Sequence, residues 1–457
     1  MSAPQDYIDQ QINTFQDQLF EFLRIPSVST DSKHKGYVMN AAKFLIHQLE
    51  DAGLDKVTLH ETGGHPIVTA EKCPYADRPT VLVYGHYDVQ PSDPDDLWKT
   101  PPFEPTVKDG RVYARGASDD KGQSFTHIKA VESYLKTGTE LPVNVKFILE
   151  GEEEIGSPHL IPFIKEHKEM LKCDMVLISD TAMFDEDQPS ITYGLRGLAY
   201  MEISIVGPNR DLHSGVYGGT VENPANVLCE IIAKLRDANG VIQIPGFYDD
   251  VQPLTAEMRE AYKQLPFDEE EYKKGLDIEE LDGETGYSTL ERASARPTLD
   301  VNGLWSGYQG EGAKTVLPAT AGAKVSMRLV PDQEPEKIAE LFADYVQSLA
   351  PDTVTVEVQP HHGGYPVVID LDFYGLKAAA QAFEDVYQKE VLFSREGGSI
   401  PIVSDFKKVL GVNSILMGFG LTRDALHSPN ESFSLKDFHR GIKTSARFME
   451  LLPDYVE

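Results

Sequence analysis

Cysteine and basic residues are scarce in this chain of 457 residues, and each shortage excludes a class of protein. The three cysteines, Cys73, Cys173 and Cys229, lie far apart, so no pair has metal-ligand spacing and no disulfide framework is predicted. Lysine and arginine total 42 against 73 aspartates and glutamates, which gives a formal net charge of −31. That charge argues against nucleic acids and anionic membrane surfaces as partners, because both attract basic faces.

The chain also lacks the long apolar runs of membrane proteins. No run approaches the roughly 20 residues that a membrane-spanning helix needs. The first residues contain no basic segment followed by an apolar one, so no signal peptide is expected. Together with the few cysteines, these absences predict a protein of the reducing cytoplasm.

The length predicts two or three domains, because domains usually hold about 50–250 residues. Up to Gly197, apolar strand patterns alternate with amphipathic helix patterns, which is typical of an α/β fold with a mainly parallel sheet. From residue 198 the order becomes β-α-β-β-α-β, as in ferredoxin-like domains. We therefore predict a catalytic domain of residues 1–197 and 364–457, with an α+β ferredoxin-like domain of residues 198–363 inserted into it. Residues 245–300, named here the acidic insertion, are expected to be irregular and solvated.

An apolar stretch at residues 81–91 predicts a buried strand that ends in His86 and Asp88. Side chains two apart on a strand point to one face, and ligands bind at the carboxyl ends of strands in open α/β sheets. Groups of the same kinds follow other predicted strands: Asp119 or Asp120, Glu152 to Glu154, Asp180 and His427. Taken singly, each has a structural alternative: a satisfied buried histidine, a helix cap or a solvated acidic face.

Taken together, these groups predict a metal site. Carboxylates that converge at one edge of a sheet repel one another unless cations neutralise them. Two histidines with several carboxylates suit Zn²⁺, Mn²⁺ or Co²⁺ better than Ca²⁺. The residues therefore predict two metal ions bridged by a carboxylate.

Several motifs resemble those of one metallopeptidase family. HYDVQP begins at His86, RGASDDKG at Arg115, EGEEEIGS at Glu150, and a strand ends in Ser179-Asp180. They resemble the di-zinc family of aminopeptidases, carboxypeptidases and deacylases, which includes carnosinases and glutamate carboxypeptidases. Further motifs are similar to its carnosinase-like branch of cytosolic non-specific dipeptidases: TYGLRG from Thr192, DLHSGVYGG from Asp211, KTVLP from Lys314, RLVP from Arg328 and REGGSIP from Arg395.

The resemblance implies two divalent ions per subunit, with zinc first and manganese or cobalt as alternatives. It assigns five ligands: His86 and Asp180 to one ion, Glu154 and His427 to the other, and Asp119 to both. Glu153 is then the general base that takes a proton from a metal-activated water. Asp88 is implied to orient His86, because a ligating histidine commonly donates its other N–H to a carboxylate.

The resemblance also implies how a small peptide is bound. The inserted domain acts as a lid and dimerisation domain, and His213 reaches the site of the partner subunit to stabilise the oxyanion. Arg328 and the Gly397 to Ser399 backbone bind the free carboxylate of the dipeptide. Further implied contacts are Thr315, Glu396, Gly398 and Ser399. On residue patterns alone, His213 is better explained as a turn histidine, and Arg328 is equally an exposed strand arginine.

The predicted activity is metal-dependent hydrolysis of the peptide bond of dipeptides. An N-acyl-amino-acid deacylase or another amidohydrolase of the same fold is the alternative. A non-enzymatic metal-binding or scaffold homologue would lack Glu153, Asp88 or a ligand, and all of these are present. Ala114 stands where the family more often has Gly, and Gln123 where the branch has Pro. Neither replaces a ligand, so metal binding is still predicted. Substrate choice is expected to depend on the shape of the pocket, on which the acidic insertion can act.

Overall fold

The computed structural model describes residues 2–398 and 400–456, which divide into two compact units. The first unit comprises Met1–Tyr193, Ile369–Ser394 and Asp405–Glu457, and the second comprises Gly194–Val368 and Arg395–Ser404. The domain boundaries drawn from the sequence pattern, at 197/198 and 363/364, stay predictions. Within the described residues, no helix is both long and apolar enough to cross a membrane.

The main sheet of the first unit has parallel strands at its centre. Its strands lie in the spatial order Asp55–His60, Ile67–Lys72, Asn144–Glu150, Thr80–His86, Met175–Ile178, Asn413–Leu416 and Ser190–Leu195. Neighbours from Asn144–Glu150 to Asn413–Leu416 pair in parallel, while the outer strands pair antiparallel. The residues from Val81 to Tyr84 are at most 3% exposed, as expected for a strand that is covered on both faces. The α/β fold class with a mainly parallel sheet is thus confirmed.

Helices and short strands complete the first unit. Its helices are Ala3–Leu23, Lys35–Ala52, Lys121–Thr137, Leu160–Glu166, Tyr374–Tyr387 and Leu435–Tyr455. Its short strands are Thr106–Lys108, Arg111–Tyr113, Ala182–Met183, Gly420–Leu421 and Ser432–Ser434. The strand Leu392–Glu396 and the helix Pro401–Leu410 each run across the boundary between the units.

The residue patterns predict a helix over residues 158–171 and a loop rich in Pro and Asp over residues 91–110, and both predictions were wrong in part. The helix expected over residues 158–171 is confined to Leu160–Glu166. The loop expected over residues 91–110 contains the strand Thr106–Lys108, which pairs with Arg111–Tyr113. Asp109 and Gly110 join these strands with φ of 51° and 75°. An Asp-Gly pair between strand residues is a strong hairpin signal because both positions adopt positive φ.

The second unit is built on a four-stranded antiparallel sheet. The strands lie in the order Thr298–Ser306, Thr320–Leu329, Gly197–Val206 and Thr355–Gly364. The helices Pro224–Leu235 and Pro335–Leu349 supply the two α elements of the expected ferredoxin-like order. Side chains along Gly197–Val206 alternate between buried and half-buried, because one face of the sheet packs into the core of this unit. Shorter elements are Leu212–His213, Ser214–Tyr217, Val316–Leu317 and Val367–Val368.

The composition of the acidic insertion suggested an irregular stretch, and this prediction was wrong. It contains the helices Ala256–Gln264, Glu269–Gly275 and Thr289–Ser294. Each begins after a side chain that accepts a hydrogen bond from a free backbone N–H, namely Thr255, Asp268 and Ser288. Acidic residues in the first turn also favour these helices, because the amino end of a helix carries partial positive charge. The local capping signals outweighed the polar composition.

Candidate metal centre

The five predicted ligands come together in the first unit. His86 ends the strand Thr80–His86, and Asp180 follows Met175–Ile178. The remaining three lie on loops and turns: Asp119 two residues before the helix Lys121–Thr137, Glu154 in the 3₁₀ turn Glu153–Ile155, and His427 between the strands Gly420–Leu421 and Ser432–Ser434. Parallel strands carry their carboxyl ends to one edge, which explains the convergence of groups so far apart in sequence.

Asp119 lies between the two histidines. Its Oδ1 is 3.1 Å from Nε2 of His86, and its Oδ2 is 2.9 Å from Nε2 of His427. Asp180 Oδ2 is 4.0 Å from the first of these nitrogens, and Glu154 Oε2 is 3.4 Å from the second. Ligand atoms of His86, Asp119 and Asp180 all lie within 4.8 Å of one another, as do those of Asp119, Glu154 and His427. One carboxylate therefore offers an oxygen to each of two ligand groups.

The electrostatics of these groups favour cations. Burial, and next the charge of Asp119, raise the pKa of Glu154 to about 8 and that of Asp180 well above its usual range. Burial acts to raise the pKa of Asp119 too, but hydrogen bonds from His427 and His86 lower it below its usual value. Glu154 Oε1 is buried and has no hydrogen-bond partner among residues 2–398 and 400–456. Imidazole nitrogens, crowded carboxylates and an unpartnered oxygen fit two divalent ions of the zinc type.

His86 is oriented by the backbone as well as by a side chain. Its Nδ1 donates to the main-chain carbonyl oxygen of Asp88 at 3.1 Å, while the nearer carboxylate oxygen of Asp88 lies at 3.5 Å. Because Nδ1 donates to Asp88, Nε2 is the nitrogen that would face an ion, once it releases the proton that it donates to Asp119 in the metal-free protein. The predicted orientation by the Asp88 side chain therefore has a backbone contribution that the sequence did not indicate.

The Asp88 carboxylate instead holds the turn that carries Glu153 and Glu154. The backbone N–H of Glu153 donates to Asp88 Oδ1 at 3.2 Å, and that of Glu154 donates to Oδ2 at 3.1 Å. Burial raises the pKa of Glu153, whose carboxylate also senses the charges of His86 and Asp119. The predicted base and one predicted ligand are thus fixed by the same buried carboxylate.

Glu431 is a supporting residue to which the sequence assigned no role. Its buried carboxylate accepts hydrogen bonds from Arg115 Nη1 at 2.8 Å and from the backbone N–H groups of Gly116, Ser118 and Asp119 at 2.9, 2.9 and 3.1 Å. It lies four residues after His427, so it ties the loop of one ligand to the loop of another. Only its position in the HSPNE motif could have signalled this role.

Gln123, one of the two departures from the family pattern, supports the same region. Its Nε2 donates to the carbonyl oxygen of Ser118 at 2.9 Å. Its Oε1 accepts from the backbone N–H groups of Phe419 and Gly420 at 2.6 and 3.0 Å. A proline could make none of these bonds, so the glutamine adds a polar link between two loops.

Replacing Glu431 by Gln is expected to lower the affinity for divalent ions about 10- to 100-fold. The amide NH₂ would face donors where a carboxylate oxygen now accepts, which we expect to cost about 1–3 kcal/mol in unfolding free energy. Ion binding can be measured by competition with a chromogenic chelator, and stability by urea unfolding. Glu104→Gln is a matched control, because Glu104 pairs with Arg24 on an exposed surface. Unchanged ion affinity in Glu431→Gln would contradict the supporting role.

The stabilisation provided by divalent ions is expected to grow as pH rises. In the metal-free protein, the pKa of Glu154 is raised to about 8 and Asp119 raises that of His427 to about 8. The folded protein thus holds protons that the unfolded chain releases. The contribution of these groups to the unfolding free energy of the metal-free protein therefore falls between about pH 4.5 and 8. Bound ions replace those protons. The measurement is the unfolding temperature with and without a chelator at pH 5 to 8. If the difference between the two unfolding temperatures became smaller as pH rises, the prediction would be wrong.

The predicted substrate contacts that the structure describes lie in the second unit. The strand Leu212–His213 pairs with Val316–Leu317, and Ser214 N–H donates to the carbonyl oxygen of Thr315 at 3.1 Å, so His213 and Thr315 are neighbours. Arg328 is half-buried in the strand Thr320–Leu329. Glu396 ends the strand Leu392–Glu396, and Gly398 follows it closely, while Ser399 lies outside the described residues.

The ring of His213 accepts a hydrogen bond within its own turn, and that bond determines which ring nitrogen carries the proton. The backbone N–H of Gly215 donates to His213 Nδ1 at 3.0 Å. A ring nitrogen that accepts carries no proton, so the proton of the neutral ring lies on Nε2. The exposed imidazole therefore presents an N–H donor.

A model of peptidase family M20/M25/M40 matches residues 82–451. The chain belongs to this family. The Cys-Gly metallodipeptidase of Candida albicans is 36% identical over 97% of this chain and 96% of its own length. The Beta-Ala-His dipeptidase of Homo sapiens is 33% identical over 84% of this chain and 76% of its own length. An M20 family metallo-carboxypeptidase from Sulfolobus solfataricus has a TM-score of 0.87 at 36% identity, over 96% of this chain and 99% of that chain.

The resemblance drawn from the motifs is therefore confirmed, including its carnosinase-like dipeptidase branch. The M20 protein is a metallopeptidase. The roles of its individual site residues stay predictions, as do the identity of the ions and the state of assembly.

Proposed function

We propose that this M20 metallopeptidase hydrolyses the peptide bond of dipeptides, with Glu153 as the general base. The observation that carries the proposal is Asp119, which offers one carboxylate oxygen to each of two ligand groups. Glu153 precedes the ligand Glu154 in the same turn, so base and ligand are held at a fixed spacing. Two of the relatives named above are dipeptidases, of Cys-Gly and of Beta-Ala-His, which supports the substrate class.

In the proposed mechanism, five side chains would hold two divalent ions, zinc first and manganese or cobalt as alternatives: His86, Asp119, Glu154, Asp180 and His427. When bound, the ions supply a water of lowered pKa and neutralise the carboxylates. Glu153 would take a proton from the water that attacks the peptide carbonyl, and would then give that proton to the nitrogen of the leaving amine. Burial raises the pKa of Glu153, which makes its carboxylate a stronger base.

The second unit would supply the contacts to the substrate. Arg328 and the backbone at Gly398 and Ser399 would bind the free carboxylate, with Thr315 and Glu396 beside them. His213 would stabilise the oxyanion in the site of a second copy, which makes the enzyme a homodimer and residues 198–363 its lid and dimerisation domain. The Nε2–H donor of His213 has the polarity that this role requires. The reducing cytoplasm remains the predicted location.

The proposed activity is tested with the metal-loaded enzyme on a panel of dipeptides and N-acetyl amino acids. We expect kcat/KM for the best dipeptide to exceed that for any N-acetyl amino acid by about 100-fold or more, because the proposed substrates are dipeptides and an N-acetyl amino acid lacks their amino group. Faster hydrolysis of N-acetyl amino acids would overturn the proposal in favour of the deacylase alternative.

A further inference from the structure

Arg196 links two segments of the second unit that are remote in sequence. It is the arginine of the TYGLRG motif and directly precedes the strand Gly197–Val206. Its Nε donates to the carbonyl oxygen of Gly397 at 2.9 Å. Its Nη1 donates to the carbonyl oxygens of Arg292 and Arg296, at 3.4 and 3.3 Å. One guanidinium therefore joins the end of the acidic insertion to the loop that follows Glu396.

Gly397 fits closely into this junction. A Cβ added at Gly397 would overlap the carbonyl oxygen of Ala293 and lie 2.8 Å from Nη2 of Arg196. A Cβ added at Gly398 would meet nothing within 4 Å. The Gly397–Gly398 loop is thus held against the acidic insertion at its first residue and open at its second.

The end of the acidic insertion is held in place by an ion pair and a helix cap. Arg296 makes two hydrogen bonds of 2.7 Å to the carboxylate of Glu284, and both side chains are almost buried. Ser288 and Glu291 form a capping box at the start of the helix Thr289–Ser294. Bidentate pairs and capping boxes fix backbone geometry, so the carbonyl groups that Arg196 contacts are presented in fixed positions.

The charge of Arg328 acts on Arg196. Burial, and next the charge of Arg328, lower the pKa of Arg196 to about 10. Two neighbouring guanidinium groups repel each other unless carbonyl dipoles or an anion compensate their charges. The carbonyl oxygens of Arg292, Arg296 and Gly397 provide part of that compensation at Arg196.

We propose that Arg196 is a positioning residue through which the acidic insertion sets the Gly397–Gly398 loop for recognition of the dipeptide carboxylate, an inference that rests on the proposed function. The carbonyl contacts through Nε and Nη1 assign Arg196 to the protein framework, while Arg328 keeps its proposed contact with the substrate. The acidic insertion then acts on substrate choice through Arg196.

The test uses the metal-loaded full chain with the variants Arg196→Lys and Gly397→Ala. Lysine keeps the charge but cannot reach three carbonyl groups in a planar fork, and alanine introduces the overlap with Ala293. The readouts are kcat and KM for a dipeptide, Ki for the product amino acid and for its amide, and metal content. Arg236→Lys is the control, because Arg236 pairs with Asp282 at the surface of the same insertion.

Both variants are expected to raise KM and the Ki of the amino acid about tenfold or more, the size of one charge-assisted hydrogen bond. Metal content and the Ki of the amide should stay near those of wild type, and Arg236→Lys should behave as wild type. Equally weakened binding of amino acid and amide, or a fall in kcat alone, would overturn the inference.

The wild-type enzyme distinguishes failure of this inference from failure of the proposed function. If wild type itself binds amino acid and amide equally, the proposed carboxylate recognition fails. If wild type discriminates and both variants still do, only the role of Arg196 fails. Gly397→Ala decides the matter if Arg196→Lys does not fold.

Discussion

Glu153→Gln is expected to lower kcat about 10²- to 10⁴-fold while the enzyme keeps its metal ions. Glutamine has the shape of glutamate but cannot take a proton from the attacking water. The backbone N–H of Glu153 and not its side chain bonds Asp88, so the substitution leaves the turn intact. The measurement is steady-state kinetics on a dipeptide, together with metal content by elemental analysis.

Glu154→Gln is the matched comparison for this variant. It alters the next residue of the same turn by the same one-atom change, but at a predicted ligand. We expect it to lose affinity for ions, whereas Glu153→Gln should lose turnover at normal metal content. Near wild-type turnover in metal-loaded Glu153→Gln would refute the mechanism. Loss of metal in Glu153→Gln would make Glu153 a ligand and would refute it as well.

Most of the candidate ligand positions could be picked out because they follow an apolar strand or precede a helix, where a lone charged residue is conspicuous. His427 lies in a loop, and its role as a ligand was implied only by the family resemblance. The choice between Asp119 and Asp120 was not predictable from pattern, since both precede the same helix. In the structure Asp119 contacts His86 and His427 through its carboxylate, while Asp120 Oδ2 accepts from the backbone N–H of His86 at 3.2 Å. Asp119 thus contacts the ring of His86 and Asp120 its backbone, a difference that can be seen only in the folded structure.

The contacts that support the ligands could not be predicted, because they depend on how distant loops meet. Glu431 lies more than 300 residues from the N–H groups that it accepts from. The Asp88 carboxylate was expected at His86, yet its hydrogen bonds to N–H groups go to Glu153 and Glu154. A strand pattern gives the direction of a side chain but not the loop that arrives opposite to it.

The acidic insertion illustrates the opposite error, in which local signals were present but were outweighed by composition. Ser288 with Glu291 is a capping-box pair, and Asp268 precedes three glutamates at a helix start. Weighed together, these signals predict helices in a stretch that appears irregular by charge alone. The contacts of Arg196 with this insertion could not be predicted from the sequence. Through them Arg196 joins Arg296 to Gly397, which lies some 100 residues further along the chain.

His213→Ala is expected to lower kcat about 10²- to 10³-fold, the usual cost of removing an oxyanion donor. If His213 acts in the site of the partner subunit, a heterodimer of His213→Ala and Glu153→Gln protomers contains one complete site. That site combines Glu153 of one protomer with the intact His213 of the other. Such heterodimers, isolated with two affinity tags, should therefore recover about half of the wild-type kcat per dimer, one site of two.

The decisive control pairs Glu153→Gln with His427→Ala. Both substitutions change the first unit, where His427 Nε2 lies 2.9 Å from Asp119 and belongs to the same ligand cluster. One protomer of that heterodimer lacks the proposed base and the other lacks a predicted ligand, so no combination restores a complete site. Recovery with His213→Ala and none with His427→Ala would establish that His213 acts in trans. Absence of recovery in both verified heterodimers would return His213 to the role of a turn histidine that caps Ser214–Tyr217.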